Sequence, residues 1–223
     1  MTIKLYGTPK SRSARCLWML EELAIAYENV AVNFADGGTQ APEYLAINPN
    51  GRIPALEDNG LVLFESLAIN IHLARKYGAA KGLWSETFDD QSRTVQWSIW
   101  AMTEGEPPIV RTLMHRMFLP EGQRTEAEAV AGEQAFRKAV GVLDGALRDR
   151  PYILGNTFSV ADLNIFGVLG SNHRALRTPF LDGLDPRELQ RVSPLELDSP
   201  PNVARWARQC GERPALERVL AMR

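Results

Sequence analysis

The segment Asn48-Pro49-Asn50-Gly51-Arg52-Ile53-Pro54-Ala55-Leu56, followed by Asp58-Asn59-Gly60 and then by Glu65-Ser66, decides the fold. Proline has no N–H and a fixed φ, so Pro54 at the start of a strand does not suit ordinary sheet pairing. If Pro54 is cis, the backbone of Ile53 can instead pair with an extended peptide ligand. Asn59-Gly60 between two apolar runs is the strongest short-range signal for a hairpin with a type I′ turn.

Glu65 and Ser66 follow this hairpin at the first turn of a predicted helix that begins near Leu67. A helix N-terminus offers free N–H groups and partial positive charge, so it can hold a carboxylate. The carboxylate of Glu65 beside it can hold an amine. The segment therefore predicts an extended peptide ligand with a charged amino-acid end.

The pattern Pro-x-Gly-x-Ile-Pro followed by Glu-Ser resembles the glutathione-binding half of the glutathione S-transferases. Other parts of the chain are similar to the same family: Tyr6-Gly7 after a first strand, Arg15–Leu23 as the first helix, Ser159–Asp162 as a capping motif and Arg213-Pro214-Ala215 near the last helix. The resemblance implies a thioredoxin-like N-terminal domain (β-α-β-α-β-β-α) and an all-helical C-terminal domain. Within the family the chain resembles serine-using members of bacterial theta or nu type, and the class stays open.

The resemblance also implies an activity and partners. It implies conjugation of the glutathione thiolate to small hydrophobic electrophiles by a cytoplasmic homodimer, with glutathione as co-substrate and no metal. Two alternatives stay open on the same scaffold. One is a glutathione-dependent reductase, dehalogenase or isomerase, and the other is a non-catalytic glutathione-binding regulatory protein.

Hydrophobic periodicity divides the chain. Residues 1–78 alternate strand and helix patterns, with strands predicted at Ile3–Tyr6 and Val30–Phe34 joined by a helix, which implies parallel pairing. Residues 79–86 have the small-residue composition of a linker. Residues 87–223 carry helical spacing, with helices expected over Asp90–Met117 and Thr125–Arg148 and a proline-rich insertion at 179–201.

Composition excludes some partners. A formal charge of −2 gives no electrostatic reason to expect nucleic acid or an anionic membrane as partner. The sequence contains no run of eighteen apolar residues and no apolar signal region, so we expect a cytoplasmic protein. Cys16 and Cys210 are isolated in sequence, which predicts two buried thiols rather than a redox dithiol or a zinc site.

A glutathione transferase must stabilise a thiolate. Lowering a thiol pKa from about 8.5 to about 6.5 takes roughly 2.7 kcal/mol, and a hydroxyl at a helix N-terminus can supply much of it. The candidate hydroxyls are Ser11, Ser13, Tyr6 and Thr8. The resemblance favours Ser11, because serine-using classes place this hydroxyl four or five residues before an arginine, here Arg15. Tyr6 could be a packed strand residue, and Ser13 could only cap the helix.

Glutathione itself is expected to contact Ile53, Pro54, Glu65 and Ser66. The resemblance adds Arg52 and Gln40 for the glycine carboxylate, with a plain solvated charge as the alternative for Arg52.

The helical domain carries two further motifs. Ser159-x-x-Asp162 reads as an N-terminal capping box, so we predict a structural role for both residues. Trp100 and Glu104 lie in an aromatic and methionine-rich region. They are weaker candidates for the substrate pocket or for a contact across subunits, and core packing is the alternative for such residues.

Overall fold

A computed structural model describes residues 2–33, 36–170 and 200–222. The chain forms two compact units, one of residues 1–86 together with 212–223 and the other of residues 87–211. The sequence-based division placed 212–223 in the helical domain. In the structure this tail belongs to the first unit, because its apolar face packs on the first helix of that unit. Residues 179–199 of the predicted insertion lie outside the described residues.

The first unit has the predicted thioredoxin-like order. Its elements are β1 (Ile3–Tyr6), α1 (Ser13–Leu23), β2 (Glu28–Val30), α2 (Pro42–Leu45), β3 (Ala55–Asp58), β4 (Leu61–Phe64) and α3 (Ser66–Tyr77). The sheet order is β2-β1-β3-β4, with β1 and β2 parallel and the other two pairs antiparallel. The predicted fold class is confirmed.

The second strand differs from its prediction at Val30–Phe34. β1 ends at Tyr6, which lies opposite Val30, and the N–H of Gly7 donates to the Val30 carbonyl at 2.9 Å. No part of β1 remains to pair with residues 31–33, so the strand ends there despite its apolar residues.

The predicted hairpin is confirmed. Asn59 and Gly60 have φ values of 50° and 88°, as a type I′ turn requires at both central positions. The register pairs Ala55 with Phe64, so Ile53 and Ser66 extend from the same end of the hairpin.

The second unit is mostly helical in its described residues, with an isolated β-bridge between Tyr152 and Gly155. It contains α4 (Phe88–Trp100), α5 (Glu106–Leu113), α6 (Glu126–Ala146), α7 (Val160–Leu169) and α8 (Pro201–Gly211), whereas α9 (Pro214–Ala221) belongs to the first unit. The helix expected over Asp90–Met117 is interrupted by π-helical turns at Ala101–Gly105 and Met114–Phe118. None of the described helices has the length and apolar character needed to cross a membrane.

Candidate active site

The loop after β1 meets the start of the hairpin at Gly7. This glycine has a φ of 145°, and a Cβ there would lie 2.0 Å from Ser13 Oγ and 3.4 Å from Ile53 Cβ. A larger residue could not occupy the position without displacing Ser13. The close approach brings the hydroxyl-rich loop beside Ile53.

Ser11 lies at the N-terminus of α1. Its hydroxyl lies 2.8 Å from the Thr8 carbonyl and 3.0 Å from Ser13 Oγ, and it accepts the Ser13 N–H at 3.1 Å. A hydroxyl has one proton, so it donates to one of these acceptors at a time and can turn to a third. Ser11 is half-buried, whereas Ser13 is fully buried. Of the two serines, Ser11 is the more accessible to a ligand.

The Tyr6 hydroxyl is hydrogen-bonded to a carboxylate of the neighbouring strand. It donates to Glu57 Oε2 at 3.0 Å, and the Tyr6 ring contacts the ring of Tyr44. Burial and the neighbouring Glu57 carboxylate raise the pKa of Tyr6, which makes its phenol a poorer proton donor. Thr8 contributes its carbonyl to the turn that holds Ser11.

The Ile53-Pro54 peptide bond is cis. Within the described residues no hydrogen bond engages the Ile53 backbone. The preceding carbonyl, that of Arg52, accepts hydrogen bonds of 2.6 Å from both Tyr44 and Asn48. These two bonds fix the chain just before Ile53 and leave the Ile53 N–H and C=O available to a ligand.

Glu65 and Ser66 form the start of α3. Glu65 is exposed and has a φ of 70° and a ψ of 111°, a backbone conformation rare for a residue with a side chain. Ser66 is buried and is the first residue of the helix. Its hydroxyl accepts a hydrogen bond of 3.4 Å from the guanidinium of the buried Arg15 on α1.

Gln40 and Arg52 lie at the other end of this region. The amide nitrogen of Gln40 lies 3.4 Å from the carbonyl of Gly51, next to Arg52 in the chain. Arg52 is exposed, and its guanidinium has no partner within the described residues. Either side chain could reach a carboxylate in solvent-accessible space.

Three supporting residues were missed by sequence reasoning, which used Arg15 only as a spacing marker. Arg15 joins the starts of α1 and α3, and Tyr44 and Asn48 hold the Arg52 carbonyl. A lone arginine within the apolar stripe of α1 was the available signal for Arg15, because an arginine is rarely buried without a partner.

Both cysteines are buried, as predicted. Burial raises the pKa of the Cys16 thiol, and its sulfur faces the Ser66 carbonyl at 3.5 Å. Within the described residues no cluster of histidine, cysteine and carboxylate side chains is arranged to hold a metal.

In the helical unit, Trp100 and Glu104 line a groove of about 350 Å³ between the α4–α5 segment and α6. Arg111, Lys138 and Val142 also line this groove.

The predicted capping box is present at the start of α7, where Ser159 and Asp162 cap each other's backbone. The fully buried Asp162 also accepts hydrogen bonds from the Ile153 N–H at 2.8 Å and from the Trp206 indole at 2.9 Å. Burial raises the pKa of Asp162, and its four hydrogen bonds oppose that shift.

Comparison with known proteins addresses the family of the chain. The family model "Glutathione S-transferase, N-terminal domain" matches residues 1–75, and "Glutathione S-transferase, C-terminal domain" matches residues 125–209. The chain is 30% identical to glutathione S-transferase 4 of Zea mays, over 97% of this chain and 91% of that protein. It is also 30% identical to a glutathione S-transferase of Hyoscyamus muticus, over 99% and 98%.

Solved structures give the same result. A glutathione transferase family member from Pseudomonas fluorescens with two glutathione bound is 28% identical, with a TM-score of 0.81 over 99% of this chain and 93% of that one. A theta class enzyme from Xanthomonas axonopodis with glutathione bound is 27% identical, with a TM-score of 0.75 over 98% and 96%. The chain therefore belongs to the glutathione S-transferase family, and glutathione is its co-substrate.

Proposed function

We propose that this enzyme conjugates the thiolate of glutathione to small hydrophobic electrophiles and that the Ser11 hydroxyl stabilises the thiolate. The observation that carries the proposal is the position of Ser11. Its hydroxyl is half-buried at the N-terminus of α1, in the loop that Gly7 packs against Ile53. Donation from this hydroxyl and the partial positive charge of the helix both favour a thiolate over a thiol.

The peptide part of glutathione would use groups that surround this loop. In the proposal the Ile53 backbone pairs with the cysteinyl residue, Ser66 and the N-terminus of α3 hold the γ-glutamyl carboxylate, and Glu65 holds its amine. Arg52 and Gln40 hold the glycine carboxylate. The unusual backbone of Glu65 supports its role, since strained residues of this kind cluster at ligand-binding sites.

Disulfide reduction through an enzyme thiol is not supported. The loop reads Thr8-Pro9-Lys10-Ser11, without cysteine, and Cys16 and Cys210 are both buried. Burial raises the pKa of the Cys16 thiol, which makes it a poor nucleophile, and Cys210 is shielded from a substrate by its burial.

A homodimer is proposed from the exposed apolar side chains of the helical unit. On α4, Phe88 is 81% exposed, Val95 43% and Ile99 57%, and their spacing places them on one helical face. Exposed apolar side chains grouped on one helical face are typical of a surface that a partner covers. We also propose a cytoplasmic location, because two free cysteines fit a reducing compartment.

The test compares Ser11→Ala with Ser66→Ala. Ser11→Ala should raise the pKa of the bound glutathione thiol by one unit or more from about 6.5, so that conjugation of an activated aryl halide at about pH 6.5 falls about fivefold or more. Its affinity for glutathione should change little. Ser66→Ala and Glu65→Gln should instead weaken glutathione binding by about 1–3 kcal/mol with the bound thiol pKa unchanged.

Two measurements separate these effects: calorimetry for affinity, and thiolate absorbance titrated against pH for the pKa. Ser13→Ala and Tyr6→Phe serve as controls. A pKa shift in either control without one in Ser11→Ala would move the catalytic assignment to that residue.

A further inference from the structure

The tail of the chain belongs to the unit that contains the proposed thiolate site. The helix α9 buries Ala215, Leu216 and Val219, and it packs on α1. Polar side chains also join the tail to α1, and these contacts connect the tail to the helix that begins at the proposed site.

Arg213, just before α9, binds Glu22 near the end of α1. Its Nε and Nη2 atoms donate to the two carboxylate oxygens at 2.5 and 2.7 Å, a bidentate geometry. The fully buried Trp18 donates its indole N–H to the same carboxylate at 2.9 Å. The Glu22 side chain is only 7% exposed, so these three donors hold it in a fixed position. We call Arg213, Glu22 and Trp18 the clasp.

A second pair lies beside the clasp but is more open to solvent. Arg218 on α9 donates to Glu21 Oε2 at 2.6 Å and to the Glu21 carbonyl at 3.0 Å. The Arg218 side chain is 51% exposed, against 28% for Arg213. Exposed pairs contribute little, because water screens the charges and the side chains remain mobile.

The helix α1 connects the clasp to the proposed site. It has 11 residues, which span about 16 Å. Ser13, its first residue, contacts the hydroxyl of Ser11 in the preceding loop, and Arg15 in its first turn reaches Ser66 on α3. If α1 tilts as a unit when Glu22 is released, Ser13 moves with it, and the two hydrogen bonds between Ser13 and the Ser11 hydroxyl transmit the displacement to Ser11.

We propose that the clasp is a positioning element for the thiolate site: Arg213 fixes α1 through Glu22, and α1 in turn aligns Ser11 with the glutathione sulfur. This inference rests on the proposed function of Ser11. The alignment matters because a hydrogen bond weakens steeply when its distance or angle departs from the optimum. Arg213 is a positioning residue, since it contacts α1 and not the reacting atoms.

The test measures the pKa of the bound glutathione thiol in Arg213→Met and Arg218→Met. Arg213→Met should raise that pKa by at least half a unit, which is about a threefold loss of thiolate at a pH well below it. Arg213→Lys should give a smaller shift, because it keeps the charge and loses the bidentate geometry. Arg218→Met is the matched control and should leave the pKa unchanged. Melting temperatures are recorded for all three variants.

A purely structural clasp would lower the melting temperature of Arg213→Met and leave the thiol pKa unchanged, and that result overturns the proposal. If Arg213→Met does not fold, Glu22→Gln takes its place under the same criterion, since it retains an acceptor for Trp18. Ser11→Ala is measured in the same series. A shift in Ser11→Ala alone overturns only the clasp, and no shift in either variant overturns both the clasp and the Ser11 assignment. A shift in Arg213→Met alone overturns the Ser11 assignment and, with it, the alignment of Ser11 that the clasp is proposed to provide.

Discussion

Replacing Asp58 by asparagine should destabilise the first unit in a pH-dependent way. Asp58 is buried at the end of β3, beside the hairpin turn. Its carboxylate is held by the side chains of His72, Lys76 and Tyr77 on α3 at 2.7–2.8 Å, and by Asn59 at 2.7 Å. These contacts fasten the hairpin to the helix that begins at Ser66.

The magnitude follows from the pKa of Asp58. Burial alone would raise it, but the hydrogen bonds from Lys76, His72, Tyr77 and Asn59 outweigh burial and lower it to about 2. An unfolded aspartate titrates near 3.9, so the native carboxylate contributes about 2–3 kcal/mol at neutral pH. Because the native pKa is the lower one, this contribution is complete above about pH 4 and is lost as the pH falls towards 2.

The assay is urea unfolding of wild type and Asp58→Asn at about pH 7 and about pH 2.5. We expect a difference in unfolding free energy of 2 kcal/mol or more at the higher pH, shrinking by roughly 2 kcal/mol at the lower pH. Asp149→Asn, at an exposed position, is the control and should change stability by less than about 0.5 kcal/mol at both. An Asp58→Asn difference that stays the same at both pH values would refute the ion-pair argument.

Two further predictions concern the helical unit. Ser159→Ala should cost about 1 kcal/mol as a lost helix cap, and Asp162→Ala about 3 kcal/mol, because it leaves buried donors such as the Trp206 indole without an acceptor. Thermal unfolding measures both, and loss of turnover at an unchanged melting temperature would instead assign one of them to catalysis. Ile99→Glu should shift the sedimentation mass from two chains to one, and a wild-type mass of one chain would contradict the proposed dimer.

The sequence predicted local features of the fold well. The type I′ turn at Asn59-Gly60 and the cap at Ser159 depend on residues a few positions apart, whose backbone preferences act without the rest of the fold. The bounds of α1 and α6 agree with their predictions within two residues for the same reason.

Long-range contacts were not predictable in this way. Arg213 and Glu22 are 191 residues apart, and nothing in either neighbourhood marks them as a pair. The tail was therefore assigned to the helical domain from helical spacing alone. The end of β2 likewise depends on where its partner strand stops, because residues 31–33 have an acceptable strand composition but no strand beside them.

Strand alternation in the sequence already constrains the direction of the Tyr6 side chain, and this bears on the choice between Tyr6 and Ser11 as the thiolate donor. Ile3 and Leu5 are buried, so strand alternation directs Tyr6 to the opposite face of the sheet, where Glu57 also projects. On that face the Tyr6 hydroxyl donates a hydrogen bond to the Glu57 carboxylate, so it is already engaged in the absence of a ligand. A serine in the loop after the strand is not subject to strand alternation, so its hydroxyl can lie beside the helix N-terminus. On this reasoning, a Glu57→Gln variant would leave the Tyr6 side chain on the same face of the sheet. The proposed chemistry would therefore still depend on Ser11.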